Sequence, residues 1–384
     1  MRKILVLMII AVIAVFSLAV PVSTAQAEGV EPIKAKSACL IDKRTGELLY
    51  GQRENERHPI ASMVKIMTAL LTFESIDRGE LSLDEMICIS ENASGMGGSQ
   101  MFLDQGLDYP VTDLLKGVIV VSANDACVAL AERVSGSEEA FVAKMNARAA
   151  ELGMINTNFV NATGLPKAGG YSSAQDVAIM LQELTRHEKY YDYSKIWLEE
   201  YTHPDGRKTI FTNTNKFVRF YEECDGGKTG FTSEAKFCLA ACATRADTKL
   251  ISVVIGADDS KTRFSESKRL LGYGFANYKT EVILIKGDHA FDAPVRKGVL
   301  SSVPCGVKED LTILNKIGTE ESSPDYEMEY YDVSAPIMRG DVVGKCTLII
   351  DGKRYERDLI ALEDVRKASL SDFYEKILGH WASK

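Results

Sequence analysis

The sequence has few histidines and no cluster of them. Its five histidines are scattered along 384 residues, and no Cys-x-x-Cys pair accompanies them; structural metal sites in proteins need clusters of such ligands. The 54 acidic residues outnumber the 45 lysines and arginines, which gives a formal net charge of −9, whereas proteins that bind nucleic acids present a basic surface. We therefore expect no metal, no other cofactor and no nucleic-acid partner.

The eight cysteines do not form an obvious set of disulfides. Cys39 and Cys346 lie in strand-like apolar runs, where a small buried residue fits. Cys238 and Cys242 lie on one predicted strand, about 13 Å apart at the usual strand rise, which is too far for a disulfide between them. We expect free and mostly buried thiols.

The first 27 residues have the pattern of a secretory signal peptide. Met1-Arg2-Lys3 is followed by an apolar run to about Val22 and by the small-residue site Ala25-Gln26-Ala27. A retained membrane span is the alternative, because the run is long enough to cross a bilayer. Cleavage after Ala27 would place the protein outside the cytoplasm, in the cell envelope.

The rest of the chain is divided by a change of pattern near residue 280. Residues 28–280 contain a predicted hairpin, then helices, then strands, an order that predicts an α+β domain with an antiparallel sheet. Residues 281–366 contain short strands separated by glycine and proline turns, which predict a small all-β domain.

Residues 367–384 predict an amphipathic tail helix. Its apolar face would consist of Leu370, Phe373, Ile377, Leu378 and Trp381. Such a helix can lie peripherally on the outer face of the cytoplasmic membrane. Docking of the same face onto its own protein is the alternative.

Ser62 and Lys65 lie three residues apart at the start of an apolar segment that predicts a helix. This spacing places both side chains on one face. A lysine amine that is held neutral can take the proton of a serine hydroxyl and make it a nucleophile. Taken alone, the pair is better explained by a helix N-cap followed by a solvated lysine.

Two further motifs follow in order. Ser122-Ala123-Asn124 lies between two predicted helical stretches, where an ordinary helix break is the alternative, and Lys228-Thr229-Gly230 opens a predicted strand. The order Ser-x-x-Lys, Ser-x-Asn, Lys-Thr-Gly is the signature of penicillin-binding proteins and serine β-lactamases. The chain after residue 27 resembles, over nearly its whole length, the low-molecular-mass D-alanyl-D-alanine carboxypeptidases. Further stretches that carry the resemblance are Leu40-Ile41-Asp42, Asn124-Asp125-Ala126, Asn161-Ala162-Thr163-Gly164-Leu165 and Ala335-Pro336-Ile337.

The resemblance implies a serine-type carboxypeptidase that removes the terminal D-alanine from peptidoglycan pentapeptide stems through an acyl-enzyme on Ser62. It also implies covalent inhibition by penicillins and other β-lactams. Lys65 would be the base in acylation, and Ser122 would relay a proton toward the leaving D-alanine.

The resemblance also implies the groups that hold the substrate. They are Asn124 for the substrate amide, Lys228 and Thr229 for the terminal carboxylate, Gly230 for a substrate added as a strand, the backbone N–H groups of Ser62 and Phe231 for the oxyanion, and Arg263 for a second carboxylate contact. Two lysines that converge on one pocket repel each other, which favours a neutral Lys65 beside a charged Lys228.

Three alternatives share these residues. In the best-known β-lactamases a glutamate activates the deacylating water, but the corresponding stretch here, Asn156 to Asn161, offers no suitable carboxylate. A D,D-endopeptidase that cuts cross-links would use the same groups. A catalytically silent wall-associated protein could keep the fold, although the intact set of motifs argues against it.

Overall fold

The computed structural model describes residues 31–319, 324–372 and 374. The predicted signal peptide lies outside these residues, and so do the tail positions Phe373, Ile377, Leu378 and Trp381. Residues 370–372 and 374 are helical, and Leu370 is exposed. Within the described ranges, no helix combines the length and the apolar character that crossing a bilayer requires.

The first part of the chain combines helices with antiparallel strands. Its strands are β1 Ser37–Asp42, β2 Leu48–Gln52, β3 Met86–Cys88, β4 Asp108–Pro110, β5 Leu198–Thr202, β6 Lys208–Thr212, β7 Cys224–Thr232, β8 Lys236–Arg245 and β9 Thr248–Ala257. Its helices are α1 Lys65–Asp77, α2 Glu91–Ser94, α3 Val111–Lys116, α4 Asn124–Ser135, α5 Glu138–Glu151, α6 Ala174–Leu184, α7 Tyr190–Ser194, α8 Phe217–Phe220 and α9 Ser260–Asn277. A 3₁₀ turn, Ala61–Val64, precedes α1, and a π-helical turn, Gly117–Val121, follows α3.

A five-stranded antiparallel sheet, in the order β2-β1-β9-β8-β7, divides the core of this part in two. Along β8, Cys238, Ala240 and Cys242 belong to the core that also contains residues of α1, α4 and α6. The alternate residues Leu239 and Ala241 belong to the core beneath α9. Side chains alternate between the faces of a strand, so a sheet that is covered on both sides needs apolar residues at every position.

The predicted hairpin is confirmed as β1 and β2, and the predicted α+β class is confirmed with it. β1 pairs with β9, so that Asp42 lies opposite Leu250. Strands from the two ends of this part therefore meet in the middle of the sheet. All eight cysteines lie within the described residues as free thiols, and seven of them are buried.

Two helices begin earlier than their apolar residues alone indicate. Apolar spacing indicates a helix from Cys127, but α4 starts at Asn124, which places that residue in the first turn. Apolar spacing likewise indicates a helix from Ser265, but α9 starts at Ser260, because the Asp259 side chain accepts a hydrogen bond from the Thr262 N–H at 2.7 Å and caps it. The first turn of α9 is polar, so apolar spacing alone does not indicate where this helix starts.

The second part of the chain is all-β, as predicted. Its strands are β10 Tyr278–Leu284, β11 Phe291–Arg296, β12 Ser302–Val307, β13 Leu311–Lys316, β14 Asp325–Tyr330, β15 Val333–Ser334, β16 Val342–Ile350 and β17 Lys353–Ala361. Six of them form one sheet in the order β14-β16-β17-β12-β11-β15, while β10 pairs with β13. This part has a separate core, which includes Val303 and Leu359. The residues predicted for the active site all lie in the first part.

Candidate active site

Ser62 and Lys65 meet at the junction of two helical segments. Ser62 lies in the 3₁₀ turn and Lys65 is the first residue of α1, so the predicted pair spans this junction rather than the first turn of one α-helix. Lys65 Nζ lies 3.1 Å from Ser62 Oγ. The serine is half-buried, and the lysine is only 1% exposed.

The contacts of Lys65 fit a neutral amine. Its Nζ donates to Asn124 Oδ1 at 2.7 Å and to the Thr163 carbonyl at 2.6 Å, and both oxygens can only accept. The amide of Asn124 is oriented by its Nδ2, which donates to the Gly97 carbonyl at 2.7 Å. An ammonium can donate to all three oxygens, Ser62 Oγ included. A neutral amine has two N–H groups and one lone pair, so it would donate to the other two oxygens and leave its lone pair for the Ser62 hydroxyl. Burial lowers the pKa of Lys65, which favours this state.

The carbonyl of Thr163 is held in place by its own loop. Asn161 Oδ1 accepts the N–H of Gly164 at 2.7 Å, and Asn161 Nδ2 donates to the Leu165 carbonyl at 2.8 Å. Thr68, one turn after Lys65 in α1, donates through Oγ1 to the Ala162 carbonyl at 2.7 Å. The loop is thereby fastened to the helix whose lysine it contacts.

Two glycines enclose the turn that carries Ser62. A Cβ atom on Gly164 would collide with the Ala61 carbonyl oxygen and would lie 3.0 Å from the Ser62 nitrogen. A Cβ atom on Gly230, in β7, would lie 2.5 Å from the Ile60 carbonyl oxygen. The missing side chain of Gly230 therefore has a packing reason, in addition to the role toward the substrate that the resemblance implies.

Ser122 lies in an unusual backbone conformation at the end of the π-helical turn. Its φ of 65° and ψ of 36° are left-handed, which costs a non-glycine residue about 1–2 kcal/mol. The residue is 4% exposed, and its Oγ has no hydrogen-bond partner among the described residues. A buried hydroxyl of this kind calls for an explanation, and a proton-relay role supplies one.

Lys228 and Thr229 lie on β7, the outermost strand of the sheet. Lys228 lines one small cavity together with Lys65. Burial, and then the charge of Lys65, hold the pKa of Lys228 well below its usual range. The neutral form is thus favoured for both lysines. An anion bound at Lys228 would instead favour the charged form of Lys228. Thr229 Oγ1 donates to Thr214 Oγ1 at 2.8 Å.

Phe231 and Arg263 lie at the edge of this arrangement. The Phe231 side chain is 53% exposed and packs against Phe237 with the two rings tilted, at 4.4 Å between the ring centroids. Arg263 is 8% exposed, and its Nη1 donates to the carbonyls of Gly230 and Cys238 at 3.2 and 3.3 Å. Arg263 is therefore not an exposed surface residue. Its role as a second contact for the substrate carboxylate stays a prediction.

Asp125 is a part of the site to which the sequence assigned no role. Its carboxylate accepts the N–H groups of Met101 and Leu103 at 3.2 and 3.1 Å. The backbone N–H of Asn124 donates to the Ser99 carbonyl at 2.7 Å. The loop between α2 and β4 is therefore held over the start of α4, where Asn124 meets Lys65.

The match to known proteins extends over both parts of the chain. A sequence model of the family described as D-alanyl-D-alanine carboxypeptidase matches residues 22–259, and one described as penicillin-binding protein 5, C-terminal domain, matches residues 278–367. The chain is 40% identical over 350 residues to the D-alanyl-D-alanine carboxypeptidase DacF of Bacillus subtilis, covering 91% of this chain and 90% of that protein. It is 33% identical to the D-alanyl-D-alanine carboxypeptidase DacA of Escherichia coli, covering 92% and 90%.

The fold leads to the same group of proteins. The crystal structure of penicillin-binding protein 5 from Haemophilus influenzae superimposes with a TM-score of 0.68 at 35% identity, covering 88% of this chain and 100% of that one. Penicillin-binding protein 3 from Streptococcus pneumoniae gives a TM-score of 0.71 at 26% identity, covering 88% and 100%.

Proposed function

Because this chain belongs to the D-alanyl-D-alanine carboxypeptidase family, a family of serine peptidases that act on peptidoglycan peptides and bind penicillins, we propose that Ser62 is its nucleophile. The substrate would be a pentapeptide stem that ends in two D-alanines. Attack of Ser62 Oγ on the carbonyl of the penultimate D-alanine would form an ester and release the terminal D-alanine. Water would then hydrolyse the ester and restore the serine.

The hydrogen bonds of Lys65 carry this proposal. Asn124 Oδ1 and the Thr163 carbonyl take both N–H groups of a neutral amine, so its lone pair can accept the Ser62 proton as the C–O bond forms. Burial lowers the pKa of Lys65, which favours the neutral amine over the ammonium. A serine paired with a solvated lysine, the alternative that the sequence left open, does not fit a lysine that is 1% exposed.

The remaining groups support the other steps. The backbone N–H groups of Ser62 and Phe231 would stabilise the oxyanion. Ser122, whose Oγ has no partner among the described residues, would pass a proton to the nitrogen of the leaving D-alanine. Lys228 and Thr229 would bind the terminal carboxylate, and the outer edge of β7 would pair with the substrate backbone.

The direct test is release of free D-alanine from a synthetic pentapeptide by the purified protein. In parallel, intact-mass spectrometry after benzylpenicillin treatment should show a long-lived adduct, which peptide mapping places on Ser62. Rapid repeated turnover of benzylpenicillin would instead identify a β-lactamase. Cleavage of cross-linked dimers faster than of the pentapeptide would identify an endopeptidase, and neither product nor adduct would identify a silent protein.

The rate of acylation by benzylpenicillin should rise with pH along an acid limb. The reason is that Lys65 must be neutral to act as a base, and below its pKa in the folded protein it carries a proton. The repulsion from Lys65 that lowers the pKa of Lys228 acts equally on Lys65, so Lys228 opposes that protonation wherever it is charged, as when it binds the carboxylate of penicillin. Lys228→Gln should therefore raise the pKa of Lys65 and move the acid limb to higher pH, whatever happens to the absolute rate.

Stopped-flow acylation rates measured across the pH range give the position of this limb. Lys261→Gln is the control, because Lys261 is an exposed lysine on α9 and should leave the limb where it is. A limb that stays fixed in Lys228→Gln would show that Lys65 and Lys228 do not interact.

We further propose that the protein acts in the extracytoplasmic cell envelope and lies peripherally on the cytoplasmic membrane through residues 367–384. The substrate class and the apolar pattern of that segment support this, and within it Leu370 and Tyr374 are exposed. Deletion of the residues after Ala368 should move the protein from the membrane fraction to the soluble fraction while its D-alanine release is retained. An unchanged distribution would refute the membrane role of the tail.

A further inference from the structure

A second cavity borders the turn that carries Ser62, and the proposed mechanism gives it no role. Its volume is about 450 Å³. Ala61 and Val64, which lie on either side of Ser62 and Met63, contribute to it. The loop of residues 158–171 forms one wall, while Thr232 and Glu234, at the end of β7 and just beyond it, form another.

The direction of β7 connects this cavity to the substrate. Under the proposed function, on which this inference rests, the terminal carboxylate lies at Lys228 and Thr229, and the reacting carbonyl lies at the Phe231 N–H. A peptide added as an antiparallel strand must then continue toward Thr232, advancing about 3.3 Å per residue. The residue that precedes the two D-alanines therefore reaches the cavity.

The lining of the cavity combines apolar and polar surface with a charge of each sign. Ile60, Phe159 and Val160 supply apolar surface. Among the described residues that line the cavity, the charged ones are Lys167, on the loop, and Glu234, beyond β7. Both are exposed, and neither forms a salt bridge with another described residue. An aliphatic chain that ends in an ammonium and a carboxylate would match all of these features.

We propose that this cavity binds the side chain of the third stem residue, and that it favours a diamino diacid over a residue with one charge or none. Lys167 would bind the side-chain carboxylate, and Glu234 would bind the side-chain ammonium. The cavity would thus determine which peptidoglycan chemistry the enzyme accepts, separately from the groups that cleave the bond.

Four pentapeptides that differ only at the third residue test this. They contain meso-diaminopimelate, the same residue with its side-chain carboxylate converted to the amide, lysine, and norleucine. D-Alanine release gives kcat/KM for each. Ion pairs at partly exposed sites are weak, so each charge should contribute about three- to fivefold, with meso-diaminopimelate best and norleucine worst.

Single substitutions assign each contribution to a side chain. Lys167→Met should remove the difference between meso-diaminopimelate and its amide, but keep the difference between lysine and norleucine. Glu234→Gln should remove the difference between lysine and norleucine, but keep the difference between meso-diaminopimelate and its amide. Lys261→Met, on the helix α9, should keep both differences.

Equal kcat/KM for all four peptides in the wild-type protein would overturn the inference while leaving the proposed function intact. Differences that persist in both Lys167→Met and Glu234→Gln would overturn it as well. Release of D-alanine from none of the four would overturn the proposed function, and this inference with it.

Discussion

Replacing Lys65 with methionine should slow acylation of Ser62 by about 100- to 10,000-fold, the usual contribution of a positioned general base. Methionine has nearly the length of lysine and fills the same buried space, but it has no lone pair that can accept the serine proton. It also leaves Asn124 Oδ1 and the Thr163 carbonyl without their donor. The rate constant for formation of the benzylpenicillin adduct measures this loss.

Ser62→Ala, which has no nucleophile, defines the floor of the same assay. The melting temperature shows whether Lys65→Met remains folded. A loss of structure would lower the melting temperature and the acylation rate together. A folded Lys65→Met protein that acylates within tenfold of the wild-type rate would contradict the role of Lys65 as the base.

Replacing Gly164 with alanine should lower the acylation rate by about 100-fold, because a displacement of about 1 Å at a reacting group costs that much. The new Cβ would collide with the Ala61 carbonyl oxygen and must displace either the loop or the turn that carries Ser62. Displacement of the loop would also withdraw the Thr163 carbonyl from Lys65. The left-handed φ of +78° at Gly164 adds a cost of about 1–3 kcal/mol to folding.

Gly153→Ala separates the two effects. Gly153 has a φ of +73°, and a Cβ atom on it would meet nothing within 4 Å beyond its chain neighbours, so this variant carries the backbone cost without the collision. It should lose stability in thermal unfolding but keep its acylation rate. Equal rates in Gly164→Ala and in the wild-type protein would show that the contact with Ala61 does not position Ser62.

The sequence was most informative where chemistry depends on side-chain type at a fixed spacing. Ser62 and Lys65 lie on neighbouring turns, so their separation along the chain nearly determines their separation in space. The order of the three motifs added Ser122, Asn124 and Lys228. The structure brings Asn124 into contact with Lys65, and Lys228 lines one cavity with Lys65. Apolar periodicity likewise predicted the strands β7 to β9 and the helices that cover them.

Contacts between backbone atoms of distant segments could not be predicted from the sequence in this way. The Thr163 carbonyl that meets Lys65 belongs to a loop far along the chain, and any residue type offers a carbonyl. Gly164 and Asp125 were visible only as parts of a resemblance, because the atoms that they meet come from other segments. The burial of Arg263 and its contacts could not be predicted for the same reason, because they depend on how α9 packs on the sheet.

The pairing of β1 with β9 makes the sheet depend on contacts between distant parts of the chain. Asp42 lies opposite Leu250, so the central contact of the sheet closes a loop that contains Ser62, Lys65, Ser122 and Lys228. Contacts between residues so far apart in sequence form slowly, because a long loop must be closed first. A chain that ends before β9 already contains Ser62 and Lys65, yet it has no complete sheet to keep them near Lys228. We therefore expect the site to be assembled only once β9, the last strand of this sheet along the chain, has been inserted.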